Sequence, residues 1–327
     1  MDNYKMGQDG FIWFVGVVED RNDPSKLGRV KVRCLGFHTE DLNKIPTDDL
    51  PWAHVMHPVT DPSMQGMGST PSFLVEGAYV VGFFRDAAEK QQPVIMGSLP
   101  GYPQTVANTE KGFNDPNGVF PKNPANYGHD LKESDVNRLA RNDTDQAHTV
   151  VTTKDSTRTE KIAVANSTTT WDEPKSAYAA VYPNNHVYET ESGHIKEFDD
   201  SVGTERIHEY HRKGTFYEID KDGNKATRVV GDNYEVIAGS DYVNVKGSAN
   251  LTVSETLNIK SKNLNIEAET VTEKYTTKTE TATTGNITYT GGEITVNSIT
   301  QTAHTHSQGS DGDGDSEAET NSPTSGT

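Results

Sequence analysis

From Val229 to Lys260 the chain falls into four consecutive octads, VVGDNYEV, IAGSDYVN, VKGSANLT and VSETLNIK, and no other feature restricts its possible folds as tightly. Each octad opens on Val or Ile, and Gly231, Gly239 and Gly247 hold the third position of the first three. A glycine that returns at a fixed interval marks a backbone corner that returns with it. A repeat this short cannot wind one chain around a hydrophobic core of its own. The pattern therefore predicts three chains wound about a shared threefold axis, with apolar side chains from all three meeting inside.

The alternation continues past the octads but the interval shortens. In LNIKSKN and LNIEAET, Leu257 is equivalent to Leu264 and Ile259 to Ile266, a spacing of seven. The threonine-rich TVTEKYTTKTETATT follows, and small β-branched Thr suits either face of a narrow prism. A low-complexity, unstructured reading of this stretch stays open, although alternation resumes at GNITYTGGEITVNSIT. Upstream, from His186 to Arg228, alternating runs are divided by ESGH, SVGT and KDGN turns and read as strand pairs.

Composition narrows the function classes. Only 32% of the residues are hydrophobic and mean hydropathy is -0.73, so one large conventional core is not expected. A net charge of -18 argues against nucleic acid or an anionic membrane as an electrostatic partner. No N-terminal signal segment and no long apolar run is evident, so the chain is expected to be made as a soluble product in the cytoplasm. The one cysteine, Cys34 in RVKVRCLGF, alternates in phase with Val30 and Val32 and reads as a buried strand thiol.

The first hundred residues carry strand-like runs at FIWFVGVVED, GRVKVRCLGF, LPWAHVMHPV, FLVEGAYVVGFF and QPVIMGSL, broken by Gly- and Pro-rich turns. Five short strands without an intervening helix suit a small closed barrel of the OB type. Gly28 should release the first hairpin loop, Trp52 should pack beneath the barrel, and Gly77 and Gly82 should allow its curvature. The order DPSKLGRVKVR, LPWAHVMHPV, VEGAYVVGFF, QQPVIMGSLPG resembles the N-terminal OB domain of the central spike proteins of contractile-tailed phages and of the VgrG spikes of type VI secretion. The segment from His186 to about Val253 also resembles the approach to the needle in those proteins.

Some phage spikes of that family carry a lysozyme domain between barrel and needle. Here residues 103–183 form an Asn-, Asp-, Thr- and Pro-rich connector with one short helical pattern, KESDVNRLAR, where Ser134 is the expected N-cap. A stretch this short and polar does not enclose a two-lobed glycan-cleaving cleft, so no enzyme is expected. HEYH at His208 to His211 is one residue short of a zincin motif, and strand alternation would place its histidines on opposite faces, as part of a polar outer surface.

His304 and His306 stand two apart, on one face of an extended strand. Three copies on an axis would bring six imidazoles to one point, a donor set that suits an octahedral first-row ion such as Fe(II) better than zinc or calcium. In the resembled family an H-x-H pair near the end of the spike binds iron at the trimer axis, and Ala303-His304-Thr305-His306 matches it. The resemblance thus implies one iron per trimer. DGDGD at Asp311 to Asp315 lacks the Gly and Glu of a calcium loop and reads as an acidic turn.

The expected architecture is all-β: an OB barrel over 1–102, a connector over 103–183, an intertwined trimeric β-helix over 184–300 and a metal-binding pointed tip with terminal tail over 301–327. The resemblance implies a homotrimeric, membrane-puncturing central spike of a phage baseplate, acting mechanically on the target envelope. Its expected place is the virion tail, with the baseplate hub and tail tube as partners and room for a separate tip-capping protein. A VgrG-type spike and a trimeric receptor-binding fibre are the alternatives. The fibre should not open with an OB pattern, and a barrel pattern beginning near Phe11 leaves out the long hub region of VgrG proteins.

Overall fold

The computed structural model of the chain describes residues 11–101, 134–142 and 149–285, together with positions 288, 290, 295, 296, 299 and 300. It divides into two units, residues 1–256 and 257–327. Among the described residues no helix is long and apolar enough to cross a membrane.

The first unit opens with the expected closed barrel. Strands β1 (Ile12–Asp20), β2 (Val30–Cys34), β3 (Trp52–Val55), β4 (Tyr79–Phe84) and β5 (Pro93–Ser98) close in the order β1-β2-β3-β5-β4, with β3 and β5 parallel. Alternation delivers Phe14, Val18, Val30, Val32, Cys34, Ala53, Val80, Phe84 and Ile95 to the interior. Each large side chain buried there contributes roughly 1.5–3 kcal/mol of transfer free energy. Cys34 is fully buried as expected, and burial pushes its thiol pKa up to about 12.

In the β1–β2 loop, Asp23 accepts backbone N–H bonds from Ser25 and Leu27 and a two-pronged bond from Arg29, while Gly28 takes the left-handed φ of +71°. Gly82 sits where the β4–β5 register shifts, and a Cβ there would lie 2.1 Å from the Val94 carbonyl oxygen. Trp52 does not pack beneath the barrel: Ala53 points inward, and Trp52 lies on the opposite side under Arg29 and Lys31, 5.7 and 5.0 Å from its ring. One-residue alternation decides this, because neighbours on a strand face opposite ways.

The connector is more structured than the sequence predicts. Helix α1 (Arg138–Arg141) is capped by Asn137, whose side chain accepts from Leu139 and Ala140 N–H groups; Ser134 bonds only the Val136 N–H. A second helix, α2 (Thr149–Ser156), has no sequence signature, since TVVTTKDS is rich in β-branched residues. Packing supplies what propensity lacks, through Val150, Val151 and Leu139 against the sheet that follows. Two short strands, β6 (Ile162–Ala163) and β7 (Thr170–Trp171), pair between α2 and that sheet.

That sheet is an antiparallel meander: β8 (Asn185–Glu189), β9 (Ile195–Asp199), β10 (Arg206–Tyr210), β11 (Phe216–Ile219) and β12 (Lys225–Arg228), in order β12-β11-β10-β9-β8. ESGH, SVGT and KDGN are its turns, and the sheet has a fourth at His211–Gly214 that was not singled out from the sequence, although Gly214 takes the same left-handed φ as Gly193 and Gly203. After Arg228 no strand is assigned among residues 231–285. The backbone nevertheless bends at Val230–Gly231, Ala238–Gly239, Lys246–Gly247 and Ser254–Glu255, then at Lys262, Glu269, Thr276 and Thr283. The spacing of eight and then seven is the one read from the sequence. A short pair, β13 (Thr295–Val296) with β14 (Ile299–Thr300), follows in the second unit.

Candidate functional site

Two surfaces and one buried cluster stand out, and the first lies on the barrel. Cross-strand register sets Trp13 beside Phe83 and Phe83 beside Val94, then Val15 beside Val81 and Val81 beside Gly97. Phe11, at 52% exposure, stacks on Phe83 at 5.2 Å, and Trp13 is 62% exposed. No outward position of β1, β4 or β5 in these rows carries a charge. Alongside runs a groove of about 540 Å³ lined by Phe11, Trp13, Val15, Leu35 and Phe37. A chain of net charge -18 that keeps one barrel face uncharged and apolar presents a surface for protein contact.

The second surface is the octad ribbon. Tyr234, Val236, Tyr242, Val243 and Leu251 are between 73 and 94% exposed in the single chain. Gly231, Gly239 and Gly247 have no left-handed φ, and a Cβ on any of them would meet nothing within 4 Å. Neither apolar burial nor the glycine repeat is accounted for by contacts within one chain.

The buried cluster occupies the inner face of the β8–β12 sheet, under α1, α2 and residues 176–180. Glu197 on β9 is fully buried and accepts from Arg206 Nη2 at 2.7 Å, Asn185 Nδ2 at 2.9 Å and His208 Nδ1 at 2.6 Å. Glu218 on β11 accepts from Arg206 Nη1 and from Lys154 Nζ of α2, both at 2.8 Å, and from the Ala177 N–H at 3.0 Å. The Lys154 ammonium also sits 4.1 Å from the Phe216 ring centroid. Leu139 O accepts from Tyr178 and Asn185, tying α1 to the same layer.

Burial alone would raise the Glu218 pKa, but the Lys154 and Arg206 charges and the Ala177 N–H bring it down to about 2. Glu197 is likewise held below the usual carboxylate range, against burial, by its bonds to His208 and Arg206. Burial lowers the His208 pKa, more than its bond to Glu197 raises it. Burial and the two neighbouring cations thus push the imidazole toward its neutral form, while the carboxylates are pulled toward their ionised form. Arg206 Nε, His208 Nε2, Asn185 Oδ1 and Asp199 Oδ2 are buried without a hydrogen-bond partner.

HEYH therefore divides as alternation requires, but His208 is 1% exposed rather than on a polar outer surface, while His211 is exposed and stacks on His194 at 4.6 Å. The apolar pattern conceals the cluster because IKEFD, RIHEY and FYEI send Glu197, Asp199, Arg206, His208 and Glu218 inward. The signal available was charge of both signs at the in-phase positions of neighbouring strands. Among the described residues no group of three or more His, Cys, Asp or Glu could hold a metal ion. His304 and His306, and the acidic turn at Asp311 to Asp315, lie outside the described residues.

Comparison with known proteins gives a family match over residues 36–187 to the Gp5 N-terminal OB domain. The chain is 42% identical over 277 residues to Protein Gp5 of Vibrio phage KVP40, covering 76% of this chain and 64% of that protein. It is 43% identical over 119 residues to the pre-baseplate central spike protein Gp5 of Enterobacteria phage T4, covering 35% of this chain and 20% of that protein. The chain thus spans less than two thirds of either relative's length.

Proposed function

Starting from this chain's place among the relatives of the phage Gp5 central spike proteins, we propose that it is the central spike of a phage tail baseplate, a mechanical part that penetrates the cell envelope. The observation that carries the reading is the union of two things in one chain. A Gp5-type barrel precedes a ribbon whose bends recur every eight and then every seven residues. Three such ribbons wound together would cover the exposed Tyr and Val side chains and pair backbone groups that a single chain leaves unpaired. They would also supply the close neighbours that the octad glycines lack within one chain.

The uncharged barrel face suits docking to a hub protein at the tube end, with the ribbon forward. We read the role as mechanical: the described residues of the connector, 134–142 and 149–183, form α1, α2 and the β6–β7 pair, with Leu139, Val150 and Val151 packed on the sheet that follows. Particle imaging with an antibody to the barrel tests the assignment. Label on the axis of the baseplate is expected, and label along fibres or absent from the tail would overturn it.

At the far end, His304 and His306 are proposed to hold one iron per three chains. The fit rests on the donor set, since neutral imidazoles in sixfold number suit an octahedral first-row ion. Such an ion would tie the three chain ends together.

A further inference from the structure

The ion cluster beneath the connector is not used by the spike reading, and within it one group is built to respond to acid. His208 sits directly between two carboxylates across the sheet, paired with Glu197 on β9 and Glu218 on β11. Its Nδ1 lies 2.6 Å from Glu197 Oε2, and its Nε2 is buried without a partner. The charges facing it are Glu197, Glu218, Arg206 on its own strand and Lys154 from α2, with Asp199 opposite Arg206 on the same face. Tyr210 and Phe216 complete the surroundings at 5.9 and 6.0 Å between ring centroids.

In the neutral ring Nδ1–H donates to Glu197 and Nε2 carries a lone pair. A second proton must go on Nε2, where no acceptor waits, and it would add a third positive charge beside Arg206 and Lys154. The layer above the cluster is attached through the same groups. Lys154 Nζ and the Ala177 N–H both end on Glu218, and Arg228 reaches up to Glu173, Thr157 and the Lys154 carbonyl.

We propose that His208 is a proton-operated catch: taking up a proton at Nε2 releases α2 and residues 173–178 from the inner face of the β8–β12 sheet.

The sign follows from the direction of the shift. The closed layer holds the imidazole below its ordinary value, so the open layer binds the proton more tightly. Closure is therefore fully favoured above about pH 6.5 and weakens as pH falls through that value. Glu197 and Glu218 act in the same direction, but only as pH falls below their ordinary 4.5. The two pH windows are separate, so Glu197 and Glu218 do not account for loosening between pH 7.5 and 5.5.

Hydrogen exchange of the full-length protein at pH 7.5, 6.5 and 5.5, corrected for intrinsic rates, provides the test. Protection of residues 149–156 and 174–180 should drop by up to roughly tenfold per pH unit below about 6.5, while the barrel strands stay protected. His208→Gln keeps a donor toward Glu197 but cannot take the proton, and it should flatten the response. Unchanged protection in the native protein, or the same drop in the variant, overturns the proposal. Should the variant fail to fold, nitrogen NMR of the native histidines decides. An unprotonated Nε2 on His208 at pH 6.5 supports the catch, and a doubly protonated ring at that pH refutes it.

Discussion

Lys154 and Glu218, 64 positions apart in the chain, meet at 2.8 Å, both nearly inaccessible to water, and this contact joins the connector helix to the inner face of the sheet. A buried charge that loses its partner keeps its desolvation cost without the Coulomb gain. Lys154→Met leaves Glu218 its bonds to Arg206 and the Ala177 N–H, and should destabilise the docked connector by about 1.5–3 kcal/mol. The readout is urea-dependent protease cleavage within residues 149–180, which should move to lower urea than in the native protein. An unchanged profile would mean that the apolar contacts of Val150 and Val151 suffice.

How much of this was legible beforehand differed by element. The barrel could be read because Phe14, Val18, Val30 and Val32 alternate on strands bounded by Gly and Pro, and the three matching hairpin turns of the meander carry Asn, Asp or Gly. The bends of the ribbon follow the glycine interval and persist at Ser254–Glu255, where the glycine is gone. Helix α2 was not legible, since Val150, Val151 and Lys154 gain their stability from a sheet that lies later in the chain. His208 was misplaced for a related reason: a rule that sends polar residues outward fails where Glu197 and Arg206 satisfy each other inside.

Within the barrel, two glycines on adjoining strands should behave oppositely. Gly82→Ala would set a Cβ 2.1 Å from the Val94 carbonyl oxygen and 2.7 Å from Phe14 Cζ, forcing strands apart. Gly97→Ala meets nothing within 4 Å and has no left-handed φ to lose. Overpacking costs about 1–3 kcal/mol, and rigid backbone puts Gly82→Ala at or above the top of that range. Thermal melts of the two variants check this, with Gly97→Ala expected near the native midpoint.

Arg33 offers a second test of the barrel. It pins the β2–β3 loop by bonding both oxygens of buried Glu19 and the carbonyls of Thr39 and Ile45. Arg33→Lys keeps the charge but cannot reach four acceptors, so it should still lose about 2 kcal/mol or more. A melt as stable as the native protein's would show that the loop is held by other contacts.

Iron should accompany the trimer and depend on the chain end. Elemental analysis is expected to give one iron per three chains at pH 7.5, falling as the solution passes below about pH 6.5, where imidazoles take up protons. The double variant His304→Ala, His306→Ala should lose the iron and keep the oligomer. Iron retained after both substitutions would place the metal elsewhere.

The account depends most on the claim that the ribbon from Val229 onward becomes a needle only when three copies share it. Light scattering on the purified, folded full-length protein tests it directly. The mass should be three times 35.8 kDa and stay so on dilution, with Val236→Asp and Val243→Asp together breaking the particle while the barrel remains folded. A folded native particle with the mass of a single chain would contradict it.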